Sequence, residues 1–266
     1  MKTRVLSAIV VVAVFLPFLF VGELPFAIFM SVLSVAGLYE LLKVRESKKK
    51  FPIVLKIFAY MLTIAFCMYD ITSIDFQYSF DYRVMAFLIF LFLSPMVFIN
   101  DTKKYNLNDA LFLMGSVLFI GLSFNLIIIT RNYDIIYIIY LLLITTITDT
   151  FALFSGKLVG KHKLCPKISP KKTIEGLVGG VFMGTFVASA FYITVIHSNV
   201  SLVFIIVISL LLCLVGQLGD LVFSSIKRYY DVKDFSELIP GHGGILDRFD
   251  SLIFVTLAFI IIHGVL

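Results

Sequence analysis

Apolar residues recur along the chain in nine long runs, at 5–22, 24–42, 52–69, 84–99, 107–129, 134–155, 174–196, 201–223 and 247–265, separated by short polar segments. Crossing about 30 Å of hydrocarbon takes roughly 20 helical residues at about 1.5 Å each, and these runs approach that length. Barrel strands, about 10 residues long with alternating polarity, do not fit such unbroken stretches. The pattern predicts an all-α polytopic integral membrane protein with about nine transmembrane helices, forming a single transmembrane domain over 1–266. Residues 1–133 supply the N-terminal spans. Residues 134–266 supply the spans and loops in which polar chemistry gathers.

Composition sharpens this. With 60% hydrophobic residues, 28 Phe and a mean hydropathy of +1.04, the chain lies far from the balance of a soluble globular domain. Lys2 and Arg4 ahead of the first run resemble a secretory signal, but the run is longer than a usual signal core and no small-x-small cleavage site follows, so a retained span is expected. Cys67, Cys165 and Cys213 are odd in number and far apart, which offers neither a disulfide framework nor a metal cluster and suggests packing roles.

Charge adds orientation. Joining the runs in order puts 1–4, 43–51, 100–106, 156–173 and 224–246 on one side, and with Arg248 these hold 19 of the 22 Lys and Arg residues. Arg83 and Arg131 fall on the other side, and Lys56 lies inside a span where it could snorkel. The positive-inside rule then predicts a cytoplasmic N-terminus, an outside C-terminus and a basic cytosolic face suited to anionic headgroups, in a bacterial-type inner membrane.

Within this frame the acidic residues stand out, because a carboxylate inside a span is costly and functional by default. Asp149 lies in the inner half of the sixth run, Asp220 near the inner end of the eighth, and Asp247 and Asp250 open the ninth, one helical turn apart. Three segments distant in sequence thus deliver carboxylates to one layer. The bland alternative is that each pairs with a nearby basic residue or caps a helix. Clustered carboxylates without thiols suit a hard cation such as Mg²⁺, which takes oxygen ligands and shares substrate phosphates.

Neighbouring loops supply complementary chemistry. Ser169-Pro170-Lys171-Lys172-Thr173 reads as a helix start, with Ser169 as N-cap and Pro170 at the first helical position, a terminus that would hold phosphate. Pro240-Gly241-His242-Gly243-Gly244 can bring backbone N–H groups close to a ligand. Gly176, Gly180 and Gly184, four residues apart, read instead as a close helix-packing face.

The stretch Ser224-Ser225-Ile226-Lys227-Arg228, then Lys233-Asp234-Phe235-Ser236, then Ile239-Pro240-Gly241-His242-Gly243-Gly244-Ile245-Leu246-Asp247-Arg248-Phe249-Asp250 resembles the hallmark of phosphatidate cytidylyltransferases, also called CDP-diacylglycerol synthases. A second stretch from Asp149 to Gly176, including Gly160-Lys161-His162-Lys163, Ile168-Ser169-Pro170-Lys171-Lys172-Thr173 and Glu175-Gly176, is similar to that family's central segment. Together these cover roughly a quarter of the chain. Leu153, where the family pattern suggests an aromatic residue, and Cys165 depart from it, and neither is expected to touch the chemistry.

The resemblance implies a Mg²⁺-dependent reaction of CTP with phosphatidate that yields CDP-diacylglycerol and pyrophosphate in phospholipid biosynthesis. Both substrates are polyanions, so positioning and charge neutralisation are the main demands, and no separate nucleophile is needed. Asp220 and Asp247 are the first choices as metal ligands, with Asp149 and Asp250 as further candidates or as groups that orient ligands. Lys171, Lys172, Lys227, Arg228, Lys233 and Arg248 are candidate phosphate clamps, with Lys227, Arg228 and Arg248 closest to the chemistry. Ser169, Thr173, Gly243 and Gly244 complete the expected substrate contacts.

His242 could donate to phosphate, transfer a proton or simply stabilise its turn. Asp234 is a further substrate-binding candidate that could pair with Lys233 or Arg228, and Glu40 reads as an interfacial residue. The expected partners are CTP, phosphatidate and membrane lipids, with no nucleic acid; a second copy of the chain remains open. Alternatives are a related CTP-dependent lipid kinase, a cytidylyltransferase for another lipid phosphate, or a cation transporter. A transporter would need polar groups through the midplane, whereas these gather at one face.

Overall fold

A computed structural model describes residues 2–69, 71, 82–196 and 200–263 of the chain; the end of the run expected to reach 265 lies outside them. Helix covers most of the described residues of each apolar run. Glu23–Glu46, Leu107–Tyr133, Ile135–Leu158, Ile174–Ile196 and Leu202–Tyr229 are long and apolar enough to cross a membrane, while Ile9–Val21, Ile53–Cys67 and Arg83–Ile99 are apolar but shorter. The protein is an all-α integral membrane protein, apart from one small two-stranded ribbon.

The chain forms two compact units. The first comprises Met1–Tyr133 and Phe235–Ile245. It contains α1 (Lys2–Val21), α2 (Glu23–Glu46), α3 (Ile53–Cys67), α4 (Tyr82–Leu93), α5 (Pro95–Ile99) and α6 (Leu107–Tyr133). The fourth apolar run divides between α4 and α5 because Pro95 has no N–H to continue the ladder and its ring collides with the preceding turn. Phe26, Met30 and Leu38 of α2 and Val117, Ile120 and Phe124 of α6 are fully buried and form much of this unit's core.

Polar contacts pin the ends of these helices. Arg131 donates from Nε to Leu19 O (2.8 Å) and from Nη2 to Phe20 O (2.9 Å), satisfying carbonyls that the end of α1 leaves open. At the other end of α6, buried Asp109 receives Arg45 Nη2 at 2.8 Å and also pairs with Lys49. Lys56, expected to snorkel, pairs with Glu46 at 2.9 Å.

The second unit comprises Asp134–Asp234 and Leu246–Leu266. It contains α7 (Ile135–Leu158), the strands β1 (Lys163–Cys165) and β2 (Ser169–Thr173), α8 (Ile174–Phe191) continuing as a π-helical turn (Tyr192–Ile196), α9 (Leu202–Tyr229) and α10 (Leu246–His263). Asp134 caps α7 by accepting from Ile136 N at 2.8 Å. Helices α7 and α8 lie backbone to backbone. A Cβ at Gly176 would stand 2.7 Å from Ala152 O and one at Gly180 2.6 Å from Thr148 O, so the small-residue stripe is the packing face that its spacing suggested.

The segment 169–173 departs from expectation. Ser169 does not cap a helix; Ser169–Thr173 is a strand paired antiparallel with β1, in register Lys163 with Thr173 and Cys165 with Ser169. The helix starts later, where Thr173 accepts from Gly176 N at 3.1 Å. Thr173 wins as cap because Glu175 then falls in the first turn, where the N-terminal dipole favours it, and the apolar periodicity begins at Ile174.

Candidate active site

The second unit contains a cavity of about 680 Å³, and its walls come from segments far apart in sequence. Helix α7 contributes Asp149, Leu153 and Lys157; the ribbon contributes Lys163, Lys171, Lys172 and Thr173; α9 contributes Gln217, Asp220 and Lys227. Asp234 lies beyond α9, and α10 adds Asp247, Arg248 and Asp250. Residues 217, 220, 224 and 227 recur at three- and four-residue intervals, so one face of α9 presents Gln217, Asp220, Ser224 and Lys227 together.

Contacts along this wall alternate in charge. Lys172 Nζ lies 2.8 Å from Asp220 Oδ2 and 2.9 Å from Gln217 Oε1. Gln217 in turn donates from Nε2 to Asp149 Oδ1 at 2.6 Å. Ser224 Oγ donates to Asp220 Oδ1 at 3.2 Å. Deeper in the unit, Lys227 Nζ meets Asp247 Oδ1 at 2.6 Å, and Asp250 Oδ1 accepts from Ser251 N at 2.7 Å. Asp247 also occupies the first turn of α10, where the helix dipole favours an anion.

Other expected site residues have different surroundings. Arg228 donates from Nε to Ile168 O (3.2 Å) and from Nη1 to Val232 O (2.9 Å), bracing the turn of the ribbon to the end of α9. Among the described residues no ion pair joins Asp234 to Lys233 or Arg228, contrary to the expected pairing. Ser169 sits in the ribbon ladder and Lys233 is exposed. Glu175 fastens the ribbon's entry, accepting from Lys161 N at 3.1 Å and from His162 N at 3.2 Å, with His162 Nδ1 at 2.6 Å.

The glycine turn belongs to the first unit. Gly241 and Gly243 have φ of 79° and 82°, a left-handed conformation that demands glycine, and the turn closes through Ile239 N to Gly243 O at 2.9 Å. His242 Nδ1 lies 2.7 Å from Ser7 Oγ, whose hydroxyl donates to Pro240 O at 2.9 Å. Since that hydroxyl proton is committed, the His242 contact is satisfied with the imidazole proton on Nδ1. Glu40 is buried: its Oε1 accepts from Ser236 Oγ (2.6 Å) and Ile245 N (2.8 Å), and Gly244 leaves no room for a Cβ beside its carboxyl.

Several wall residues lie outside the set the sequence predicts, Gln217 and Leu153 among them. Gln217 stands in the run Cys213-Leu214-Val215-Gly216-Gln217-Leu218-Gly219, where a lone amide among apolar residues was the available signal. Leu153, set aside as remote from the chemistry, is part of the cavity wall. Cys67 and Cys213 are buried, in keeping with packing roles, and Cys165 lies on β1.

For metal binding the available donors are the five carboxylates that line the cavity, Asp149, Asp220, Asp234, Asp247 and Asp250. Among the described residues no three acidic, histidine or cysteine side chains stand close enough to hold an ion by themselves. Oxygen donors of this kind fit Mg²⁺, which is commonly held by one or two carboxylates and completed by water and substrate phosphates.

A family model described as the cytidylyltransferase family matches residues 2–266. The chain belongs to the cytidylyltransferase family. It is similar to proteins named phosphatidate cytidylyltransferase from Bacillus subtilis (strain 168), 36% identical over 265 residues covering 96% of this chain and 94% of the relative, and from Staphylococcus aureus (strain COL), 39% identical over 255 residues covering 96% of each. The Staphylococcus haemolyticus (strain JCSC1435) protein of the same name is 37% identical over 255 residues, again covering 96% of each. As a cytidylyltransferase family member the chain is a nucleotidyltransferase, and carboxylates and lysines together line the cavity of its second unit.

Proposed function

We propose that this protein transfers the cytidylyl group of CTP to phosphatidate, giving CDP-diacylglycerol and pyrophosphate, at the cavity of the second unit. The observation that carries this reading is the convergence of Asp149, Asp220, Asp247 and Asp250 with Lys171, Lys172, Lys227 and Arg248 around one space of about 680 Å³, a size suited to a nucleotide. The full-length match to relatives bearing that name supports the choice of substrates.

In this reaction a phosphate oxygen of phosphatidate forms a bond to the α-phosphorus of CTP, and the bond from that phosphorus to the αβ-bridging oxygen breaks. Pyrophosphate leaves with the oxygen and its electron pair. The nucleophile is already anionic, so the protein's work is to align two polyanions and absorb the charge building on the leaving group. Mg²⁺, held by Asp220 and Asp247 with Asp149 and Asp250 in support, would neutralise that charge when bound. Lys172 and Lys227 neutralise Asp220 and Asp247 in this structure and would turn toward phosphate oxygens when substrate enters. Arg248 and Lys171 offer further donors at the cavity wall, and a guanidinium can hold a phosphate through two parallel N–H bonds. Arg228 acts from behind by holding the ribbon that carries the lysines.

The distribution of 19 of the 22 Lys and Arg residues supports a cytoplasmic N-terminus and a cytosolic cavity, where CTP is available. Purified protein in detergent, given CTP and Mg²⁺, is expected to release pyrophosphate only when phosphatidate is present. No release with any lipid phosphate, or release of CDP in place of pyrophosphate, would overturn the proposal.

A further inference from the structure

Gln217 carries no charge and has no part in the reaction proposed above, yet it is 2% exposed and engages groups of both signs. Its Nε2 donates to Asp149 Oδ1 at 2.6 Å, and its Oε1 accepts from Lys172 Nζ at 2.9 Å. A carboxylate only accepts and an ammonium only donates, so one orientation of the amide satisfies both contacts and the other satisfies neither. Lys172 Nζ also reaches Asp220 Oδ2 at 2.8 Å and the main-chain oxygen of Gln217 at 3.5 Å, so each of its three donors has an acceptor. A chain Asp149, Gln217, Lys172, Asp220 therefore spans α7, α9 and β2.

We propose that Gln217 is a positioning residue whose amide keeps the Asp149 carboxylate and the Lys172 ammonium apart at fixed separation, so that each stays available to the phosphates and cation of the cytidylyl transfer. Without a neutral spacer Lys172 would close onto Asp149 as well as Asp220, and one ammonium would be held between two carboxylates. An amide suits the task because it offers a donor end and an acceptor end without adding net charge beside Asp149. Leucine supplies neither end. Glutamate keeps the acceptor for Lys172 but sets a second negative charge against Asp149. This inference rests on the reaction proposed above, and its test is chosen to separate the two.

The first readout is chemical and needs neither metal nor substrate. Purified wild type, Gln217→Leu and Gln217→Glu are treated with a water-soluble amine-acylating ester, and the labelling rate of Lys172 is measured by peptide mass spectrometry against exposed Lys103. Lys172 is expected to label several-fold slower in Gln217→Leu, where it closes onto Asp149, and at the wild-type rate in Gln217→Glu, with Lys103 unchanged in both. The second readout is turnover of CTP with phosphatidate. Both variants are expected to lose about tenfold or more in kcat, with little change in KM for CTP.

Equal Lys172 labelling in all three proteins, or wild-type kcat in Gln217→Leu, would overturn the inference. Should Gln217→Leu fail to purify as a monodisperse species, Gln217→Glu decides, since normal labelling with lowered kcat supports the proposal and normal kcat refutes it. A wild type that labels as expected but turns over no CTP would sink the reaction while leaving the Asp149–Gln217–Lys172 geometry supported.

Discussion

Lys227 and Asp247, twenty residues apart in sequence, meet at 2.6 Å with their side chains only 10% and 3% exposed. Breaking a buried pair from one side leaves an uncompensated charge, at a cost of about 3–5 kcal/mol, whereas removing both partners costs much less. Asp247→Asn is therefore expected to lower thermal stability in detergent as well as abolish turnover, and Lys227→Met likewise. The double variant Lys227→Met/Asp247→Leu should be more stable than either single one. Light-scattering melts of the four proteins test this, and a double variant less stable than both singles would show that the pair is not what holds the end of α9 to the start of α10.

Asp220 stands differently, with its side chain 29% exposed and its partner Lys172 retaining Gln217 as an acceptor. Asp220→Asn is expected to melt within about 1 kcal/mol of wild type, as partly exposed pairs contribute little, yet to lose turnover. A Mg²⁺ titration of pyrophosphate release checks the cause. If the variant reaches a large fraction of wild-type rate at limiting Mg²⁺, Asp220 is not a metal ligand.

Lys172→Ala and Arg228→Ala are each expected to lower activity by tenfold or more, about 1.4 kcal/mol or above, by different routes. Lys172 lies on the cavity wall, whereas Arg228 holds Ile168 O and Val232 O, so only Arg228→Ala should speed amide exchange across residues 163–173. Lys103, basic and exposed, serves as the control for general surface charge. Lys49 would not, because it pairs with buried Asp109 and its loss should cost stability. Equal losses from Lys103→Ala and Lys172→Ala would remove the case for a specific phosphate site.

In the first unit, Gly244→Ala should be destabilising because the added methyl has no space beside the Glu40 carboxyl. Glu40→Ala should release the segment 236–245 by removing the acceptor of Ser236 Oγ and Ile245 N. Limited proteolysis within 236–245 is the measurement, with faster cleavage expected in both variants. Unchanged cleavage in Glu40→Ala would mean that this carboxylate does not anchor the turn.

Single cysteines placed at 103 and 161 in a cysteine-free background are expected to react with membrane-impermeant maleimide only after the cytosolic face is opened. The concentration of Lys and Arg in 43–51, 100–106, 156–173 and 224–246 motivates this. Labelling in intact cells would invert the proposed orientation.

Much of this protein could be read along one dimension. The apolar runs specified helices because periodicity and span length are local properties, and the stripe Gly176, Gly180, Gly184 announced a close packing face before its neighbours Ala152 and Thr148 were known. The acidic positions Asp149, Asp220, Asp247 and Asp250 were also conspicuous, since a charge in an apolar run costs too much to be incidental. What only the tertiary structure decided was pairing. Ser169 and Thr173 are both competent caps, and the choice fell to Thr173 once 169–173 found a strand partner in Lys163–Cys165. Gln217 looked like one polar residue among leucines until packing placed it between Asp149, 68 residues before it, and Lys172, 45 residues before it. Which donor meets which acceptor depends on helix rotation and side-chain reach summed over a whole core, and no short window of sequence contains that information.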